Sequence, residues 1–198
     1  MLAYTRRSMP GPEVWIASAY HRLALLDPRL RSTGYWSEHG IACMGVIDGI
    51  GGPTVARVTG YPYPADGQTG VVPAIPCVET PDPCRAVRGA ARRKTIGMPL
   101  TIQFDSPQPM IAGLRVLSAS LRPAGGRAAR IVTQDMRTRA VAPLLRGGAV
   151  LLPQRPLRAA TTYLVAVRAK LITRTAAGRS VVTAVERRWR FTTAAQRR

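Results

Sequence analysis

Leu151 to Ala169 reads LLPQRPLRAATTYLVAVRA, and an echo of it, WRFTT, stands at Trp189 to Thr193. From Thr162 to Lys170 the residues alternate, with Tyr163, Val165 and Val167 on one side and Leu164, Ala166 and Arg168 on the other. A period of two, rich in β-branched and aromatic residues, is that of a strand. Pro153 and Pro156 break any strand before it and set a turn. Leu157, Thr161 and Tyr163 then stand in an L-x-x-x-T-x-Y spacing. In a sandwich of two sheets this spacing drops the leucine into the core. It also lets a tyrosine at the start of a strand hydrogen-bond back to the backbone of the preceding corner. Trp189 and Phe191 lie two apart, so both rings face one side of a later strand. Turn, corner and closing aromatic strand follow in the order of a sandwich; a generic amphipathic hairpin is the alternative.

Working outward, further strands are expected at Leu100–Phe104, Gly113–Leu121, Ala128–Thr133 and Ala149–Leu152. Strands every 10 to 15 residues, separated by Gly and Pro, point to an antiparallel sandwich rather than βαβ units. Pro73 to Lys94 carries four prolines and a run AVRGAARRK without strand pattern, and reads as a long loop. Ile50 to Tyr63 reads as a connector with a short edge strand around Val55, Arg57 and Thr59. Before it, Pro12 to Leu26 reads as one helix: Pro12 suits the first turn, Glu13 favours the positive helix start, and Pro28 ends it. Gly34, Gly40 and Gly45 punctuate a loop that leads to a short strand at Ile41–Asp48.

Two resemblances follow from particular stretches. YPADGQTGV at Tyr63–Val71, GMPLTIQF at Gly97–Phe104, LLPQRPLRAATTYLVAV and WRFTT together resemble a bacterial Ig-like domain of the kind found in envelope and S-layer-associated proteins. The usual pattern has Pro-Gly where Ala159 and Ala160 stand, which implies a looser corner turn. VWIASAYHRLALLDPRLRSTGYW resembles the W-x-x-S-x-x-HR-x-x-x-L-x-P segment of bacterial CAP domains, the cysteine-rich secretory, antigen 5 and pathogenesis-related superfamily. Trp15, Ser18, His21, Arg22, Leu26 and Pro28 carry that match. The expected architecture is therefore mainly β: an Ig-like antiparallel β-sandwich over 63–194, a linker over 51–62, and before them a partial α/β CAP-like segment with one helix over 1–50. A Met1 inside a CAP domain reads as a truncated product or a misplaced start.

The resemblance implies a cleft of two histidines and two acidic residues, with His21 at one histidine position. The upstream half that would bring the partners is absent from this sequence, and Ser18 stands where some relatives carry an acidic residue. His39 has no ligand spacing to His21, and a divalent ion needs several convergent ligands. His21 is thus expected to be a vestigial cleft position, hydrogen-bonded or solvated, with no metal and no cofactor.

Composition bounds the rest. The chain has 198 residues, enough for one or two domains, and a net charge of +19. No run of about 18 apolar residues spans a membrane, and MLAYTRRSMPGPEV lacks the apolar core of a signal peptide. Only Lys94 and Lys170 are lysines, against 27 arginines. That skew, with abundant Ala, Gly and Pro, looks like the codon usage of a GC-rich genome. The arginines are dispersed along the chain rather than collected on one helix face, and no aromatic stacking platform accompanies them. The charge is nevertheless uneven. Residues 1–59 hold six basic and four acidic groups, and residues 60–198 hold 23 and six. Cys77 and Cys84 flank VETPDP, a turn-prone spacing that suits a disulfide in an oxidising compartment, while Cys43 is remote. G-x-S-x-G, P-loop and C-x-x-C motifs are missing, and GIGGPT at Gly49–Thr54 lacks the lysine and helix of a phosphate loop.

These readings converge on a non-enzymatic secreted or envelope-associated protein, the localisation implied by the resemblance alone. A basic polyanion-binding module, contacting nucleic acid, anionic lipid or wall polymers through the arginine-rich surface, is the alternative. A CAP-type hydrolase is the third.

Overall fold

The computed structural model describes residues 2–4, 12–90 and 94–195. Most of the N-terminal stretch read for a targeting signal, and residues 91–93 of the AVRGAARRK run, lie outside the described residues.

The alternating stretch is the centre of a sheet. Thr162–Arg174 (β11) pairs antiparallel with Ser180–Thr192 (β12) on one side and Met110–Pro123 (β8) on the other. Its burial alternates in step with its sequence, with Tyr163, Val165, Val167, Ala169 and Leu171 buried. A second antiparallel sheet has the order β4-β7-β10-β9, formed by Thr59–Tyr63, Leu100–Asp105, Gly148–Pro153 and Ile131–Gln134. The two sheets make a β-sandwich. Leu100, Ile102, Phe104 and Leu151 from one sheet and Leu114, Leu121, Tyr163 and Phe191 from the other share one apolar core. Gly60 is placed where a methyl group would come within 2.9 Å of the Phe104 ring, so β4 can lie close only with glycine there.

β7 and β10 are buried along their whole length, on both faces. Their second face, by alternation, carries Thr101, Gln103 and Asp105 from β7, opposite Val150 and Gly148 of β10 and Tyr63 of β4. The N-terminal segment covers it. That segment contains helices α1 (Glu13–Ile16) and α2 (His21–Leu25) and a small sheet in the order β1-β3-β2, formed by Leu2–Tyr4, Ile41–Met44 and Tyr35–Glu38. Ala19, Tyr20 and Leu23 join the sandwich core. Trp15 instead packs with Ala42, Met44 and Val46 in a second, smaller cluster.

The sequence reading needs correcting in several places. The single helix expected over Pro12–Leu26 is two helices, because the backbone N–H groups of residues 19–21 turn toward a side chain from elsewhere. The strand expected at Ile41–Asp48 stops at Met44, and Tyr35–Glu38, expected as loop, pairs with it residue for residue. The expected linker over 51–62 ends in β4, whose Thr59–Tyr63 pair with β7. The Pro73–Lys94 excursion, expected to be structureless, contains Ala74–Pro76 (β5) paired with Thr95–Gly97 (β6), and a 3-10 turn at Pro83–Ala86. A short helix α3 (Ala142–Leu145) precedes β10. No described helix is long and apolar enough to cross a membrane.

Candidate functional site

Titratable groups converge where α2 meets the sandwich. Glu79, almost fully buried, comes from the proline-rich excursion. Its Oε2 accepts the N–H of Ala19 at 2.6 Å, and its Oε1 accepts those of Tyr20 at 2.8 Å and His21 at 2.9 Å. His21 Nδ1 lies 2.8 Å from the same Oε1. An ionised carboxylate only accepts, so Nδ1 carries a proton. Burial pushes the Glu79 carboxyl up, but the imidazole and the three amides outweigh it and hold it below the ordinary value. The donors are the N–H groups that open α2, the end of a helix that attracts negative charge.

Arg22, the next residue, is wholly buried. Its Nε donates to the carbonyl of Ile16 at 2.6 Å and its Nη1 to that of Pro99 at 2.7 Å, while its guanidinium carbon lies 4.2 Å from the centre of the Tyr63 ring. Burial lowers it to about 10, which leaves it charged at neutral pH. Tyr20 donates to Gln134 Oε1 at 2.7 Å, and burial pushes its phenol up to about 12, so it remains a neutral donor. Gln103 donates to the carbonyl of Leu23 at 2.8 Å. A second joint stands beside this one. Asp105 pairs with Arg29 at 2.6 Å and accepts from Thr54, and Arg29 spends its other donors on the carbonyls of Ser106, Gln108 and Pro109.

The arrangement fastens one segment to another. Both Glu79 oxygens are engaged, Arg22 is shut off from solvent, and Ser18, at the motif position, donates to the carbonyl of Trp15 at 2.6 Å. His39 is exposed and 3.6 Å from Glu38, remote from His21. His21 was expected without a carboxylate partner. Glu79 supplies one from 58 residues downstream, which the sequence reading missed, because VETPDP carries no signal of where it folds. Gln103 and Asp105, polar at alternate positions of an otherwise apolar strand, were a signal that the outer face of β7 is covered by hydrogen-bonding partners.

The structure joins Cys77 and Cys84 in a disulfide with Cα atoms 5.7 Å apart, and leaves Cys43 free. Among the described residues, one grouping of three potential metal ligands occurs, Cys77, Asp82 and Cys84. Its two sulfurs are bonded to each other, and Asp82 caps the N–H of Cys84 at 2.8 Å, so the set does not suit a metal ion.

The corner residues meet at the far end of the sandwich. Leu157 is buried, and the Tyr163 hydroxyl accepts the N–H of Arg158 at 2.8 Å. Thr161 donates its N–H to the hydroxyl of Thr193 at 2.9 Å, which in turn donates to the carbonyl of Arg158 at 2.6 Å. Tyr163 also stacks on Phe191, its cross-strand partner, at 5.6 Å between ring centres. Ala160 takes the left-handed conformation, with φ of 44°. No protein-family model matches the chain, and no curated protein matches it.

Proposed function

We propose that this is a non-enzymatic, secreted or envelope-associated binding and scaffolding protein, in which a CAP-like segment is fastened to an Ig-like sandwich. The observation that carries the reading is the use of Glu79, His21 and Arg22. The place where ionisable groups converge is a joint between segments in which the Glu79 carboxylate and the Arg22 guanidinium are buried and taken up by hydrogen bonds, whereas catalysis needs groups free to exchange partners. The strand order supports the Ig-like part. Taken in sequence, β4, β7, β10 and β9 occupy the places of strands A, B, E and D, and β12, β11 and β8 those of G, F and C. Tyr163 stands at the start of the F-equivalent strand with its hydroxyl on the corner backbone. The Cys77–Cys84 disulfide supports an oxidising compartment. Fractionation of the native host with alkylation in the absence of reductant tests this. The linked pair in envelope or medium is expected. Chain confined to the cytoplasm with both thiols alkylated overturns the localisation.

A second reading, a polyanion-binding module, rests on the outer face of the β12-β11-β8 sheet. Arg115 and Lys170 are cross-strand partners there, as are Arg122, Leu164 and Arg190 in one row. Arg168, Arg174 and Arg188 share the face, and all these cations are exposed. Glu186 stands among them, paired to Arg188 at 2.7 Å and to Arg168 at 3.8 Å, and Asp66 lies beside Arg122 and Arg190. Arginines dispersed in sequence are thus gathered in space by the two-residue period of the strands. Retention on heparin that falls steeply with salt is expected, and passage through heparin at low salt removes this reading.

A further inference from the structure

A second gathering of arginines lies away from the sheet face. At the corner end of the sandwich a cleft of about 710 Å³ is lined by Arg88, Arg127, Arg130, Arg155 and Arg158. They come from three separate segments: the excursion after the disulfide, the β8–β9 turn, and the β10–β11 corner. No acidic residue lines the cleft. The chain's ten acidic residues all lie elsewhere, and among the described residues no carboxylate pairs with any of these five guanidiniums.

The base that carries these arginines is held firmly. Leu157 N–H donates to the carbonyl of Pro73 and Gln154 N–H to that of Arg130, each at 2.9 Å. Ala129 N–H donates to the carbonyl of Leu121 at 2.7 Å, closing the β8–β9 turn. Arg158 is fixed through its N–H by Tyr163 and through its carbonyl by Thr193. Five like charges on a fixed concave base repel one another, and among the described residues no carboxylate is paired to them. A ligand bringing several negative charges on a compact frame would offset this.

We propose that this cleft binds a chain of linked phosphates, an oligophosphate. Guanidinium forks match phosphate oxygens two at a time, which a point charge does not. The volume exceeds what a single phosphate needs and lies in the ordinary range of ligand pockets. The apolar floor, Leu157 and Tyr163, is buried and offers no ring face for a base. Recognition therefore lies in the phosphates, whether free, on a nucleotide, or in a lipid headgroup. This inference rests on the second reading above, that the basic surface of the protein meets anions.

Calorimetric titration of the full chain with tripolyphosphate tests it, alongside Arg127→Ala/Arg155→Ala and a control, Arg57→Ala/Arg139→Ala, which removes equal charge outside the cleft. Saturable binding at one site is expected, weakened about a hundredfold by the cleft pair, as for lost charge-assisted hydrogen bonds. The control pair should change it less than about twofold, as expected for distant screened charges. ATP binding as tightly as tripolyphosphate, with vesicles of a phosphorylated inositol lipid competing, supports recognition of the phosphates alone. ATP binding where tripolyphosphate does not overturns it. Equal weakening by both variant pairs, with heparin retention intact, overturns the cleft and leaves the general polyanion reading standing. Loss of both tripolyphosphate binding and heparin retention removes the two together.

Discussion

Glu79 and His21, 58 residues apart in sequence, meet at 2.8 Å, and the same carboxylate takes the backbone N–H groups of residues 19–21. One side chain thereby starts helix α2 and anchors the proline-rich excursion over it.

Because Glu79 is held below its ordinary value of 4.5, the stability it contributes is complete above that pH and is lost as pH falls through the depressed folded value. Glu79→Gln leaves fewer acceptors for the same buried donors. It should cost about 2–3 kcal/mol at neutral pH, in line with hydrogen bonds to a charged group. It should also flatten the decline of stability below pH 4.5, leaving the part due to Asp105, which its partners likewise depress. Denaturant titrations between pH 3 and 7 check this; an unchanged slope in the variant would show that Glu79 is not ionised in the joint.

Ala160→Gly should stabilise the corner. With φ at 44°, alanine sits where its Cβ is disfavoured by about 1–2 kcal/mol, partly offset by the greater freedom of glycine when unfolded. A net gain of about 0.5–1 kcal/mol is expected, raising Tm by roughly 1–4 °C. A fall in Tm would mean that the corner does not keep this conformation in solution.

Tyr163→Phe should cost about 0.5–1.5 kcal/mol, the value of one hydrogen bond, since the ring keeps its stacking on Phe191. Thr193→Val should cost at least as much, because it removes a donor to Arg158 and an acceptor for Thr161 at once. Their double variant should be less than additive, as both hold Arg158. Thermal unfolding of the four proteins measures it, and full additivity would separate the two contacts.

Residues 59–198 alone should still unfold cooperatively, at a lower midpoint than the full chain. The face uncovered on β7 is largely polar, with Thr101, Gln103 and Asp105, but Val150 beside it is uncovered too, and the core loses the side chains of Ala19, Tyr20 and Leu23. Near-UV circular dichroism follows the transition. Its absence in this piece would mean that the N-terminal segment is needed to form the sandwich at all.

Local chemistry made the sandwich legible. Alternation placed β11, the L-x-x-x-T-x-Y spacing placed the corner, and the prolines before it placed the turn, because each depends on residues a few positions apart. The broken helix was not legible, since α2 begins where Glu79 captures its N–H groups and that side chain comes from 58 residues beyond His21. Arg22 reads as a surface residue in any window of sequence; it is buried because Tyr63, Pro99 and Ile16 surround it once folded. The strand period and composition by themselves determined a basic, antiparallel sandwich. Which arginines share a cleft, and which carboxylates are consumed as joints, was decided by tertiary structure, because charge acts through space and the chain returns to one place from distant positions.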